Sequence, residues 1–127
     1  MFDSIKAMGA LTQIMKNKDA IAASFAKVQA ELAERQITVD GARQADGLPG
    51  VTVVVTCKLS VLTTSISPAL LATAVDEPSR ARLGAIVAAA TNAALTRAKE
   101  VAAEETAKEA KALGLPDMPG LEKMLGA

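Results

Sequence analysis

VTVVVTCKLSVLTTSISPALL, residues 51–71, holds a single charge, Lys58, and can be read in two ways. A transmembrane helix takes about 20 consecutive apolar residues, and this segment is long enough. Three features oppose that reading. Lys58 would sit near the middle of the bilayer, at a cost of about 3 kcal/mol. Thr and Ser are scattered along the segment. Its first half alternates, with Val51, Val53, Val55 and Cys57 on one side and Thr52, Thr56 and Lys58 on the other. A period of two in β-branched residues is the pattern of a half-buried strand. The spacing therefore predicts two strands, residues 51–58 and 61–66, turning around Leu59 and Ser60, with Leu62, Thr64 and Ile66 sharing a face of the second.

Working outward, QITVDGARQADGLPG reads as an earlier strand over 36–43 followed by a turn-rich loop. The three strands make an antiparallel meander. A sheet this small exposes an apolar face and two edges, so something must cover it. Upstream, Leu11, Ile14, Ile21, Phe25, Val28 and Leu32 recur in steps of three and four, with Lys18 at one expected core position. That is a helical seam. Lys16 and Lys27 lie eleven residues apart, about three turns, and so share an outer face. Downstream, Asp76 or Glu77 can cap a long helix, with Pro78 in its first turn and Gly114 at its end. Leu83, Ile86, Val87, Ala90 and Ala94 form its apolar stripe. Beyond Ala98 the pattern thins to alanine and charge, which predicts a half that projects or packs on another chain. Ser67 and Pro68 open a short helical turn between sheet and helix.

Composition bounds the function. The chain has 127 residues, with Phe2 and Phe25 its only aromatics. An alanine-rich core in so small a chain is thin, and pairing with a second copy is a common way to gain burial. Fourteen basic residues balance fourteen acidic ones, which argues against a strongly basic protein overall but allows a local patch. The absence of histidine excludes His-based triads, His general bases and His metal sites. Cys57 lies on the apolar side of its strand, where a free thiol acts as a small buried hydrophobe. The GLPG sequence precedes a strand and is no phosphate loop. Neither a catalytic site, a cofactor site nor a metal site is expected. The N-terminal sequence lacks the order of a signal peptide, and a cytoplasmic protein without membrane contact is the expectation. Helices bearing Lys and Arg remain, suited to a nucleic-acid backbone or to plain protein contact.

Several strings, in order, resemble the YbaB/EbfC family of bacterial nucleoid-associated proteins. They are IMKNKDAIAASFAKVQAELAERQITVDG, DGLPGVTVVVTCKLSVLTTSISPALL, LGAIVAAATNAALTRAKE and LPDMPGL. The resemblance implies an α+β protomer of order α-β-β-β-α, covering residues 1–113 as one domain and leaving 114–127 as a tail. It implies an intertwined homodimer with projecting helical arms. It also implies binding of duplex DNA with little sequence preference, in the cytoplasm at the nucleoid, with a role in its organisation and in transcription, and no cofactor. Lys16, Lys27 and Arg97 match the family's basic positions best, with Lys18 and Lys99 as neighbours. Three departures stand out: Thr56-Cys57 replaces an Asn-Gly turn, Ser67 replaces an acid before Pro68, and Leu62 and Thr63 replace basic residues. The acidic run from Glu100 to Glu109 opposes phosphate. The rival reading is therefore a protein-interaction scaffold of the same fold with weak or lost DNA binding.

Overall fold

The structure, a computed structural model, describes Thr12 and residues 18–114. Its elements run α1 (Lys18–Glu34), β1 (Gln36–Gly41), β2 (Val51–Thr56), β3 (Val61–Ile66), α2 (Pro68–Leu71) and α3 (Glu77–Ala112). This is the expected α-β-β-β-α order with one extra helical turn. The strands form an antiparallel sheet in the order β1-β2-β3. The expected residues Leu11, Ile14 and Lys16 and the tail beyond Gly114 lie outside the described residues.

Two compact units divide the chain. The second, residues 33–101, holds the sheet and most of α3. Its core joins Val51, Val53 and Val55 of β2 to Leu70 of α2 and to Ala90, Ala94 and Ala98 of α3. Ile37, Val39, Leu83, Ile86, Val87 and Leu95 pack around that cluster. Small alanines let the helix sit close: a Cβ built at Gly41 would lie 3.7 Å from Ala90 Cβ. A helix with side chains is about 10 Å across, and strands lie about 4.8 Å apart. One helix thus covers about two strands. β1 and β2 receive that cover, and β3 does not.

Two strand expectations need correction. Thr56, expected on the outward side, is buried. Its side-chain oxygen accepts from the N–H groups of Lys58 (3.3 Å) and Ser60 (3.4 Å), which draws it into the hairpin turn. Leu62 does not continue a face with Thr64 and Ile66. Ile66 pairs with Val51, Thr64 with Val53 and Thr63 with Val54, but Val61 pairs with Val55. A register shift at Val54/Val55 leaves Leu62 as the extra residue. Such a bulge shifts side-chain parity, so Val61 takes the place expected of Leu62.

The connections are held by local chemistry. Asp76, not Glu77, caps α3. Its carboxylate accepts from Ser79 N–H at 2.9 Å, and Ser79 Oγ accepts from Asp76 N–H at 3.0 Å. This reciprocal pair satisfies two otherwise unpaired donors at the helix start. The Ser79 hydroxyl bond, helped by its backbone bond and by Arg82, holds the Asp76 carboxyl below the ordinary carboxylate range. Ser67 caps α2, accepting from Leu70 N–H at 3.1 Å, so the serine keeps the acceptor an acid would supply. Gly114 ends the last helix at φ 73, with its N–H on the Lys111 carbonyl. Gly50 bonds back to the carbonyls of Gly41 and Ala42 where the chain enters β2. A Cβ there would stand 2.5 Å from the Ala42 oxygen, so only glycine fits.

The first unit joins the chain up to Leu32 with the chain from Ala102 onward. Phe25, Val28 and Leu32 of α1 are buried in it, as are Ala102, Thr106 and Ala110 of α3. The apolar stripe of α3 therefore does not stop at Ala98. It continues in steps of four, with Thr106 tolerated because its hydroxyl donates to the Ala102 carbonyl at 2.8 Å. The expectation that the apolar pattern thins out beyond Ala98 needs correction for that reason. Threonine in place of an aliphatic residue hid the continuation.

Candidate nucleic-acid interface

The basic residues expected to touch DNA fall on both units. In α1, Lys18 and Lys27 are both exposed. Nine residues separate them, which at about 100° per residue puts them on opposite sides of the helix. Lys18 lies in line with Ile21 and Phe25, in the first turn of the described helix, and its own exposure explains how lysine occupies a seam position. Lys27 lies on the side away from Phe25. Lys16, expected to share a face with Lys27, falls outside the described residues.

In α3, Arg97 and Lys99 are exposed and flank buried Ala98 on its two sides. The Arg97 guanidinium donates to Glu100 Oε2 at 3.2 Å, an exposed pair three residues apart. Such a pair is worth ~0.5 kcal/mol or less in water, so a phosphate can displace it. It nevertheless lowers the local positive field. Glu104, Glu105 and Glu109 follow on the same helix, in the first unit.

Sequence reading gave less weight to the end of the sheet. Cys57 N–H donates to the Arg35 carbonyl at 3.0 Å. That bond extends the β1–β2 ladder past Gln36 and Thr56, and it places Arg35 opposite Cys57, one residue from Lys58. Both side chains are exposed. The signal lay in strand register, which composition does not reveal.

Among the described residues, no group of three His, Cys, Asp or Glu residues is placed to hold a metal ion. Cys57 is buried and stands outside any disulfide, as the alternation leading into it predicts. No helix among them is long and apolar enough to cross a membrane. Residues 51–71 form strands and a helical turn, which answers the question that segment poses.

Exposed apolar side chains mark a second surface. Val61 is 45% exposed, Leu62 46% and Ile66 37%, and Leu59, Leu71 and Val75 are exposed beside them in the chain. β3 carries no charge and no proline, the usual protections of an open edge.

Comparison with known proteins places the chain in a family. The YbaB/EbfC DNA-binding family matches residues 8–113. The chain is similar to nucleoid-associated protein PsycPRwf_1729 of Psychrobacter sp. (strain PRwf-1). The two are 33% identical over 123 residues, covering 97% of this chain and 99% of that protein.

Proposed function

The chain belongs to the YbaB/EbfC DNA-binding family, and on that premise we propose that it binds duplex DNA as a homodimer. The contacts are to backbone phosphates, and sequence preference is slight. The observation that carries this reading is the family match along residues 8–113. Exposed Lys18, Lys27, Arg97 and Lys99 support it, as does the similarity to a protein named nucleoid-associated. Lys16 joins them on the family pattern. The action is organisation of the nucleoid in the cytoplasm, with effects on transcription that follow from where the protein sits.

The chemistry favours phosphates over bases. Lys18, Lys27, Arg97 and Lys99 stand on exposed helix faces, and nothing in their pattern forms a recognition surface aimed at base edges. Bidentate base readout needs such aim, whereas phosphate binding needs only local positive charge. A neutral chain can supply it where basic residues cluster.

Exposure along β3 supports the homodimer. An uncharged edge strand with apolar side chains open to water invites pairing. A second copy offers the same strand and doubles every basic residue. The helical arms implied by the family resemblance belong to this proposal as well.

A second reading has its own observation. The Arg97–Glu100 pair and the uncharged Leu62 and Thr63 weaken the positive field, which favours a scaffold dimer with little DNA affinity. Titration of two unrelated duplexes over a series of salt concentrations separates the readings. DNA binding predicts similar affinities for both duplexes and a steep fall with salt. No binding at low ionic strength would hand the function to the scaffold.

A further inference from the structure

We propose that Arg35 and Lys58 form a phosphate-binding pair at the hairpin end of the sheet and act on the same DNA backbone as Lys99. The proposal rests on the DNA-binding reading above and adds a site to it. Three observations carry it.

The first is position. The Cys57 N–H to Arg35 carbonyl bond, 3.0 Å, joins two residues that lie far apart in sequence. Lys58 is the next residue after Cys57, so the two cations leave neighbouring points of the backbone.

The second is a fixed backbone. The turn carrying Lys58 is closed by Thr56 N–H to Ser60 carbonyl at 2.8 Å and Leu59 N–H to Thr56 carbonyl at 3.0 Å. Thr56 Oγ1 accepts from the Lys58 N–H within it. A tip held this way presents its side chains at low ordering cost, which favours binding. Leu59 takes a φ of 65 to close the turn, a conformation that costs a bulky residue ~1–2 kcal/mol.

The third is the direction of α3. Ala90 meets Gly41, at the far end of the sheet. Ala94 and Ala98 stay in the cluster of Val53 and Val55, so the helix advances toward the hairpin. Arg97 and Lys99 flank Ala98 and thus reach the same end as Arg35 and Lys58. Glu31, Glu34 and Glu100 are the carboxylates nearest to these cations in sequence. At the opposite end the loop and strand carry Asp40 and Asp46 with Arg43, and Thr52 Oγ1 donates to Asp40 at 2.8 Å. The hairpin end thus gathers Arg35, Lys58, Arg97 and Lys99, with Glu34 and Glu100 beside them in sequence, while Arg80 and Arg82 lie earlier on α3.

The test uses the full chain and a labelled duplex of arbitrary sequence. Arg35→Gln, Lys58→Gln and their combination are titrated with the parent across salt concentrations, with Arg43→Gln as the control from the far end of the sheet. Each lost phosphate contact makes the plot of log affinity against log salt shallower by about 0.9. The double variant should lose about tenfold in affinity at 0.1 M salt, with a slope shallower by about two for each protomer engaged. Arg43→Gln should bind as the parent does. The charge-preserving pair Arg35→Lys and Lys58→Arg should retain binding, which separates charge from folding. A parent that binds with steep salt dependence while the double variant matches it overturns the pair and leaves the DNA-binding reading intact. A parent that binds no DNA at low salt overturns both.

Discussion

β2 and β3 are neighbours in one sheet, equal in length at six residues each, and they meet opposite fates. Val51, Val53 and Val55 of β2 are fully buried, while every residue of β3 is exposed. Both strands are uncharged and rich in β-branched residues, so strand propensity does not separate them. Cover does. The single long helix spans about two strand widths, and β2, in the middle, lies beneath it. The difference teaches that the chain's own core ends at β2. What lies beyond is surface in the protomer and, in the proposed dimer, interface.

The strongest way to break the comparison is at β2. Val53→Asp places a carboxylate in a core of Val51, Val55, Leu70 and the α3 alanines, and burial of an unpaired charge is costly. A loss of more than ~4 kcal/mol is expected, a large share of a small domain's stability. Circular dichroism and denaturant titration should find no cooperative fold. A Val53→Asp protein that melts near the parent would place the buried face elsewhere.

The same change at β3 should act differently. Val61→Asp with Ile66→Asp should preserve the secondary structure of the protomer, because both side chains are already exposed. It should weaken self-association by a hundredfold or more, ~3 kcal/mol. Sedimentation over a range of concentrations reads the shift. If self-association is unaffected, the second copy docks on another surface.

How far the sequence foretold this contrast is instructive. The alternation of residues 51–57 was enough to place Val51, Val53, Val55 and Cys57 inside. Period-two patterning is strong where one face is buried. It failed at Thr56, where a hydroxyl turned inward to bind the turn's N–H groups. It failed again at Leu62, because a bulge leaves no mark in hydrophobicity. The start of α3 was legible as Asp76 or Glu77 and that of α2 at Ser67 and Pro68, while the part of Ser79 in the α3 cap was not. The continuation of α3 packing through Thr106 was not, since a threonine that bonds its own helix backbone counts as polar in any pattern. Of the candidate interface, Lys18, Lys27, Arg97 and Lys99 could be found as charges on helices. Arg35 and Lys58 could not be joined without the β1–β2 register, and the Arg97–Glu100 pair came into view only with side chains in place.

Two smaller changes sharpen the account of how the strands are held. Gly50→Ala forces a Cβ against the Ala42 carbonyl at the entry to β2. Overpacking of this kind costs ~1–3 kcal/mol, and a lowered denaturation midpoint with unchanged association should reveal it. Leu59→Gly acts in the hairpin leading into β3, where the residue has φ 65. Relief of the left-handed strain outweighs the entropy of glycine by ~0.5–1 kcal/mol, so thermal unfolding should shift slightly upward. A destabilised Leu59→Gly variant would mean that the leucine side chain itself is packed in the dimer.

DNA contacts should be separable from both strands. Replacing Lys16, Lys27 and Arg97 by glutamate should abolish binding to duplex DNA and leave the melting transition of the protein in place. Unchanged binding by that triple variant would move the contacts to other residues.

The most direct test is the mass of the parent protein in solution. β3 is proposed to be completed by a second copy, and that copy doubles the basic residues offered to DNA. Light scattering on the purified chain at micromolar concentration should give twice the 13.0 kDa of the protomer. A monodisperse species at 13.0 kDa under the same conditions would contradict it.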